Sequence, residues 1–72
     1  MFELGETVRP SVSYLNASRH YKWLCADSIG RVTGYRAPKI VGGAHIGVVE
    51  VLWETTGMSV PMRWDQLERV YG

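Results

Sequence analysis

Apolar and polar residues alternate most clearly between residues 48 and 64. Val49, Val51 and Trp53 fall on one face of an extended segment, and Glu50 falls on the other. This period of two is typical of a strand with one buried face. The same period returns a few residues later in a second apolar set, made of Met58, Val60, Met62 and Trp64. The two runs therefore predict a pair of neighbouring strands.

A short turn joins these two runs. Thr55, Thr56 and Gly57 separate them, and the glycine can take the positive φ that a tight hairpin connection needs. Pro61 has no N–H to donate to a neighbouring strand, so it should face an unpaired edge or a bulge. We expect a β-hairpin.

Two shorter strands are predicted before the hairpin. The first spans Glu6 to Pro10 with Val8 pointing inward, and the second spans Ile29 to Tyr35 with Val32 inward. Gly30 and Gly34 punctuate the second strand, which indicates bulges or tight bending.

The C-terminal end predicts one turn of 3₁₀ helix and a last strand. The turn covers residues 64 to 67, with Asp65 suited to capping it, and the strand covers Glu68 to Tyr71. Leu67 and Val70 should point into the core. The chain is then all-β, with five strands and a 3₁₀ turn before the last.

The size and composition fit one small domain over residues 1 to 72. The chain has a mass of 8.1 kDa, with 46% apolar and 21% charged residues, which is close to the average for globular proteins. Five short strands are too few for a sandwich and favour a small barrel.

Four short motifs resemble the strands of SH3-like barrels. They are Gly5-Glu6-Thr7-Val8-Arg9, Gly30-Arg31-Val32-Thr33-Gly34-Tyr35, Val49-Glu50-Val51-Leu52-Trp53 and Leu67-Glu68-Arg69-Val70. The chain is most similar to the group containing plasmid type II dihydrofolate reductases, the photosystem accessory subunit PsaE and the nitrile hydratase β-subunit. The resemblance implies a five-stranded SH3-like barrel with a long loop between strands 1 and 2.

The resemblance to the reductases stops at the residues that carry their activity. Those enzymes are homotetramers that hold folate and NADPH with a lysine after the first strand and a Val-Gln-Ile-Tyr run near the last. This chain has Pro10 at the first position and Val60-Pro61-Met62-Arg63 at the second. Proline supplies no amide, and arginine replaces a neutral phenol with a charge. We therefore expect a related scaffold without that activity.

Positive charge is concentrated in the first two thirds of the chain. The net charge is only +1, yet residues 7 to 45 carry six cations, Arg9, Arg19, Lys22, Arg31, Arg36 and Lys39, against the single acid Asp27. Such a distribution either draws anionic partners or provides ordinary solubilising charge.

The connection from Ser11 to Ser28 is about three times the usual loop length, and long loops in compact domains commonly carry function. It interleaves aromatic and cationic side chains, which suits stacking on bases with phosphate contacts, and equally suits a protein interface. The predicted binding residues are Arg19, His20, Tyr21, Lys22, Trp23, Arg31, Arg36 and Lys39. The competing interpretation is structural: Tyr21, Trp23 and Cys25 alternate along an extra strand that closes the core. A short helix, if present, should lie between Ala17 and Ala26.

Nothing in the sequence forms a convincing catalytic or metal site. Cys25 is the only cysteine and is expected to be a small buried apolar residue. His20 and His45 with scattered acids lack the spacing of a metal site. The glycine-rich stretch from 42 to 47 lacks the Lys-Ser/Thr of a phosphate-binding loop and is expected to be a flexible loop.

These observations predict a small non-enzymatic binding module, with no catalytic residues, metal or cofactor. Its partner is nucleic acid or an acidic protein surface, and open sheet edges allow a homo-oligomer. The alternatives are a type II reductase-like homotetramer with an altered active site, and an accessory subunit that stabilises a protein complex. No apolar run is long enough for a membrane span or a secretory signal, so we expect a cytoplasmic protein. A compact module of this kind fits an accessory protein of a phage or mobile element.

Overall fold

A computed structural model describes residues 2–17 and 21–70 and contains five antiparallel strands. The strands are β1 (Thr7–Pro10), β2 (Gly30–Val41), β3 (Ala44–Trp53), β4 (Ser59–Arg63) and β5 (Leu67–Arg69). A short helix, α1 (Val12–Asn16), follows β1, and a 3₁₀ turn (Trp64–Gln66) precedes β5. The strands form one sheet in the order β4-β3-β2-β1-β5, so the last strand pairs with the first. The all-β prediction is confirmed, as is the 3₁₀ turn before the last strand.

The core is built from the inward positions of all five strands. Its strand members are Val8, Val32, Val49, Val51, Trp53, Val60, Met62 and Leu67, all buried. Phe2, Tyr14 and Leu24 add to it from the connections. The alternation along β3 explains this packing, because every second side chain of a strand faces the same side.

The β3–β4 hairpin has the predicted form. Val49 lies opposite Met62 and Val51 opposite Val60, while Gly57 has a φ of 68° in the turn. Pro61 lies in β4, which is an edge strand, so its missing N–H removes no bond from the interior of the sheet. Met58 precedes β4 and is half exposed, at 51%, which separates it from the buried Val60.

The β2–β3 hairpin is longer than the sequence indicated. We predicted that the second strand ends at Tyr35 and that residues 42 to 47 form a flexible loop. Instead β2 continues to Val41, and Gly42 and Gly43 alone form the turn. Their φ angles are 57° and 83°, and two consecutive positive φ values are the requirement of a two-residue type I′ connection, which glycine meets without strain.

Two register shifts bend β2 along its length. They fall between Val32 and Gly34 and between Arg36 and Lys39. The first confirms the bulge expected near the glycines. The second contains Pro38, which cannot donate a ladder hydrogen bond. Beyond Gly34 all residues of β2 are exposed, so the outer half of the hairpin forms a two-stranded ribbon, residues 35–41 and 44–48.

The long connection between β1 and β2 folds differently from the prediction. The helix in its described part is α1, ahead of the predicted 17 to 26 interval. Ser11 begins it, with its Oγ accepting a hydrogen bond of 3.1 Å from the Tyr14 N–H. Residues 21–29 contain turns and no strand, so the extra strand is not found there. Leu24 is fully buried and Cys25 is exposed, so the alternation expected for Tyr21, Trp23 and Cys25 is also wrong.

The end of the chain differs from the prediction in the cap of its 3₁₀ turn, in the bounds of its strand and in the burial of Val70. Gln66, not Asp65, caps the 3₁₀ turn, because its Oε1 accepts a 3.1 Å hydrogen bond from the Arg63 N–H. β5 spans Leu67 to Arg69, whereas the predicted strand spans Glu68 to Tyr71, of which Tyr71 lies outside the described residues. Leu67 is buried as expected, whereas Val70 is only half buried. No helix in residues 2–17 and 21–70 is long and apolar enough to cross a bilayer.

Candidate binding site

The predicted binding residues that the structure describes occupy two different environments. Arg19 and His20 lie outside the described residues. Tyr21 and Trp23 are half buried against the core, with ring centroids 5.7 Å apart. The described cations of the set are all exposed: Lys22, Arg31, Arg36 and Lys39.

The structure separates the cations of β2. Arg31 pairs with Thr7 and Leu52 at the base of the sheet, whereas Lys39 pairs with Ile46 in the outer ribbon. Eight residues of strand span roughly 25 Å at about 3.3 Å per residue. Arg31 and Lys39 therefore belong to different parts of the surface.

Ion pairs neutralise part of the predicted positive excess. Arg36 Nη1 lies 2.9 Å from Glu50 Oε2, and Arg9 Nε lies 3.2 Å from Glu68 Oε2. Within the described ranges Lys22, Arg31 and Lys39 form no ion pair. The side chain most available to an anion in the ribbon is consequently Lys39.

One cavity lies where the long connection, the ribbon, β4 and the 3₁₀ turn meet. It has a volume of about 340 Å³ and is called cavity one. Its lining comes from five elements and one loop position: Tyr14, Tyr21, Lys39, Val48, Pro61, Met62, Arg63 and Gln66. Two of the predicted residues, Tyr21 and Lys39, are thus brought together although 18 positions separate them in the sequence.

Two hydrogen bonds join the two tyrosines of cavity one. The Tyr14 hydroxyl accepts a 3.0 Å hydrogen bond from the Tyr21 N–H and donates a 3.4 Å bond to the Tyr21 carbonyl oxygen. Tyr14 itself is 6% exposed and sits in the core. This wall is therefore fixed before any ligand arrives, which reduces the entropy lost on binding.

Arg63 is a fixed cation at the rim of cavity one. Its Nε and Nη2 donate to the two oxygens of Asp65 at 2.9 and 2.6 Å. The hydrogen bond and charge of Asp65 raise the pKa of Arg63, so the guanidinium remains protonated. An incoming anion would have to share Arg63 with Asp65, whereas it would find Lys39 without an ion pair among the described residues.

A second cavity adjoins the first and has a different lining. It measures about 220 Å³, is called cavity two, and is lined by Tyr35, Arg36, Pro38, Gly47, Val48, Val49 and Trp64. Val48 lines both cavities. The Trp64 indole covers Gly47, because a Cβ added there would stand 3.4 Å from Trp64 Cε2.

Several lining residues were not predicted as binding residues. Arg63, Trp64 and Gly47 come from segments that the sequence indicated as sheet, turn and loop. Trp64 was predicted only as part of an apolar strand face and of the 3₁₀ turn. The sequence feature that could have indicated these lining residues is the predicted 3₁₀ turn, because such a turn places consecutive side chains on different sides of the chain.

The described residues do not group their metal-ligating side chains. No group of three or more His, Cys, Asp or Glu side chains in residues 2–17 and 21–70 is arranged to hold a metal ion. Cys25 is exposed, so its prediction as a buried residue is wrong. Hydrogen bonds from Ser28 and from the Asp27 backbone lower the pKa of its thiol.

Comparison with known proteins adds no relative. No protein-family model, curated protein or solved structure matches this chain.

Proposed function

We propose that this chain is a non-enzymatic binding module whose partner is an acidic segment of another protein, held at cavity one. The observation that carries the proposal is the convergence of Tyr14, Tyr21 and Lys39 on one preformed cavity. Aromatic side chains with a cation at their edge are typical of protein interfaces.

The charges around the cavity favour an anionic partner. No acidic side chain lines cavity one, and none lines cavity two. The sequence from Ser28 to Val49 contains no Asp or Glu, so the whole ribbon is free of negative charge. Lys22, next to Tyr21, adds a further exposed cation on the side of the long connection. A negative group approaching this face meets the cations of the lining, and the carboxylate of Asp65 next to them is already paired with Arg63.

The number of available cations favours protein over nucleic acid. Nucleic-acid affinity rests on many phosphate contacts, and the usual footprint is a strongly basic patch. Here the isoelectric point is about 7.9, and both Arg36 and Arg63 are already paired with carboxylates. Tyr21 is also half buried, which leaves less of its ring face for stacking on a base.

We also infer that the fold is a small barrel of the SH3-like group. What supports this is the strand order, in which β5 follows a 3₁₀ turn and pairs with β1, together with the four strand motifs. Accessory subunits within that group offer a precedent for a module that acts by binding another protein. Pro10 pairs with Leu67 inside the sheet, at the position where the reductases carry a lysine.

The proposal can be tested by nuclear magnetic resonance, since a 72-residue chain gives a tractable amide spectrum. The probes are a Glu/Asp-rich dodecapeptide, a single-stranded oligonucleotide and a short DNA duplex. We expect the acidic peptide to shift the amides of Tyr21, Lys39, Val48 and Gln66, and the effect to weaken as salt is raised.

Two matched variants sharpen the test. Lys39→Gln should weaken peptide binding about tenfold, whereas Arg31→Gln, which removes an exposed cation from the same strand far from the cavity, should leave it within twofold. Equal effects of the two variants would contradict the proposal. Shifts at the same residues with the oligonucleotides alone would assign the site to nucleic acid instead.

A further inference from the structure

We infer that the partner segment presents an apolar side chain close to its acidic one, and that cavity two receives it. This inference rests on the proposed function of cavity one. It adds the chemistry of a second contact, and so defines which acidic segments are bound.

Cavity two is unsuited to an acidic group. Its lining is apolar side chains and glycine backbone, apart from Arg36. The charge of Arg36 is satisfied by Glu50 at 2.9 Å, so a carboxylate placed there would gain little and lose its hydration. An apolar side chain instead exchanges water for contact with Trp64, Val49 and Pro38.

The walls of cavity two are held in place. The Tyr35 hydroxyl donates a 2.9 Å hydrogen bond to the Phe2 carbonyl oxygen, which fixes the ring although the residue is 52% exposed. The Trp64 indole rests on Gly47, where the absence of a side chain leaves the floor flat. With about 220 Å³ the space corresponds to several water molecules at about 30 Å³ each, enough for one aliphatic or aromatic side chain.

The two cavities adjoin through consecutive residues. Pro38 lines cavity two and Lys39 lines cavity one, and in the same way Trp64 lines cavity two and Arg63 lines cavity one. Val48 lines both. At two places in the chain, therefore, a cationic residue of cavity one is the sequence neighbour of an apolar residue of cavity two. A segment that spans this boundary needs acidic and apolar residues only a few positions apart.

The test is selection of displayed random dodecapeptides on the wild-type protein. We expect enriched peptides to carry Asp or Glu and, within four positions, a Leu, Ile, Val, Met or aromatic residue. One enriched peptide is then synthesised, and its affinity is measured with the apolar residue changed to Ser and, separately, with the acidic residue changed to Gln.

Protein variants assign each peptide residue to its cavity. Gly47→Ala adds a methyl group against Trp64 and should weaken binding about fivefold, while Gly34→Ala, whose new Cβ would have only Glu50 Cβ at 3.8 Å, should not change it. Changing the apolar peptide residue to Ser should cost less affinity for the Gly47→Ala protein than for wild type, as expected for contacting pairs in double-mutant cycles. The same peptide change should cost as much affinity for the Lys39→Gln protein as for wild type. Pro38→Ala, at an exposed rim position, serves as a second variant if Gly47→Ala does not fold.

The outcomes separate this inference from the proposal beneath it. Enriched peptides that share acids but no apolar position, with Lys39→Gln still weakening binding, would overturn the inference and leave the proposed function standing. Enriched peptides that share an apolar position but no acids would overturn both the inference and the proposed function. So would a selection without enrichment together with an amide spectrum that the acidic peptide does not shift.

Discussion

Gly30 lies directly opposite Trp53 in the β2–β3 pairing, and the Trp53 side chain occupies the space where a side chain of residue 30 would be. A Cβ at Gly30 would stand 2.8 Å from Trp53 Cε3 and 2.5 Å from Val51 Cγ1. Both neighbours are fully buried, so neither can move aside into solvent. Trp53, the largest side chain of the core, therefore fits only because residue 30 is a glycine.

Gly30→Ala should destabilise the protein. Forcing a methyl group into a close-packed core costs about 1–3 kcal/mol, measured as the change in free energy of unfolding in urea. Gly34→Ala is the matched control in the same strand, because its nearest atom would be Glu50 Cβ at 3.8 Å. If both variants unfold at the same urea concentration, residue 30 does not pack closely against Trp53.

Leu24→Ala should be costly and Cys25→Ala nearly neutral. Leu24 is fully buried in the core cluster, whereas its neighbour Cys25 is exposed. Emptying a buried leucine site costs about 2–5 kcal/mol, and surface changes usually stay within about 0.5 kcal/mol. Thermal melts of the two variants compare adjacent positions in the long connection. Similar melting temperatures would show that this connection does not contribute to the core.

Glu6 should make stability depend on pH in the acid range. A hydrogen bond from the Glu3 N–H, 2.9 Å from Glu6 Oε1, lowers the pKa of Glu6, and Arg69 acts in the same direction against some desolvation. A carboxylate whose pKa is lower in the folded chain stabilises the fold above its unfolded pKa. That contribution is lost as the pH falls through the folded pKa.

Glu6→Gln is the variant that isolates this effect. It should be less stable than wild type at about pH 7, and the difference should be smaller at about pH 2.5, because the stabilisation by the Glu6 carboxylate is lost progressively as the pH falls below its unfolded pKa. The measurement is the urea midpoint of both proteins at the two pH values. A difference that stays constant between them would rule out titration of Glu6 as its cause.

Cys25 should react with iodoacetamide at lower pH than an unstructured cysteine. Ser28 Oγ lies 3.5 Å from Cys25 Sγ and accepts a 3.1 Å hydrogen bond from the Cys25 N–H, and the hydrogen bond to the sulfur lowers the thiol pKa. Because the thiolate is the reactive form, the alkylation midpoint follows that pKa. Ser28→Ala should move the midpoint upward. An unchanged midpoint in a folded Ser28→Ala protein would remove the serine from the explanation.

The β3–β4 hairpin was predictable because two independent signals agree there. Val49, Val51 and Trp53 alternate with polar neighbours, and Gly57 marks the turn. Sequence period and turn chemistry then specify the same register, which the pairing of Val51 with Val60 confirms. Val8, Val32 and Leu67 were also predicted to point inward, and all three are buried.

The outer ribbon was not predictable from period alone. Residues 35–41 and 44–45 are all exposed, so no buried side imposes an alternation of apolar and polar positions on them. The signal that remained was Gly42-Gly43, which we interpreted as loop composition although it is also a turn sequence for a two-residue hairpin. In the long connection, burial of Leu24 rather than Trp23 or Cys25 is decided by tertiary packing, which leaves no local period.

The candidate site was predicted in part. Tyr21 and Lys39 were chosen for their chemistry, and the structure places both in the lining of cavity one. Arg31 shares that chemistry and lies at the far end of β2. Sequence identifies which side chains can bind an anion. Which of them share a surface depends on the register of the β2–β3 pairing, and that register includes two shifts, of which the glycines of the strand indicated only the first.

The two halves of β2 differ in how strongly core packing constrains them. Its first residues, including Gly30 and Val32, are fixed by the packing of Trp53, while the exposed residues from Arg36 to Val41 touch little of the core. Substitutions in this outer half should therefore cost little in folding while changing the charge and shape of the proposed site. A single strand thus carries one segment held by core packing and one outside it, so the charge and shape of the proposed site can be altered by point mutation without rebuilding the interior.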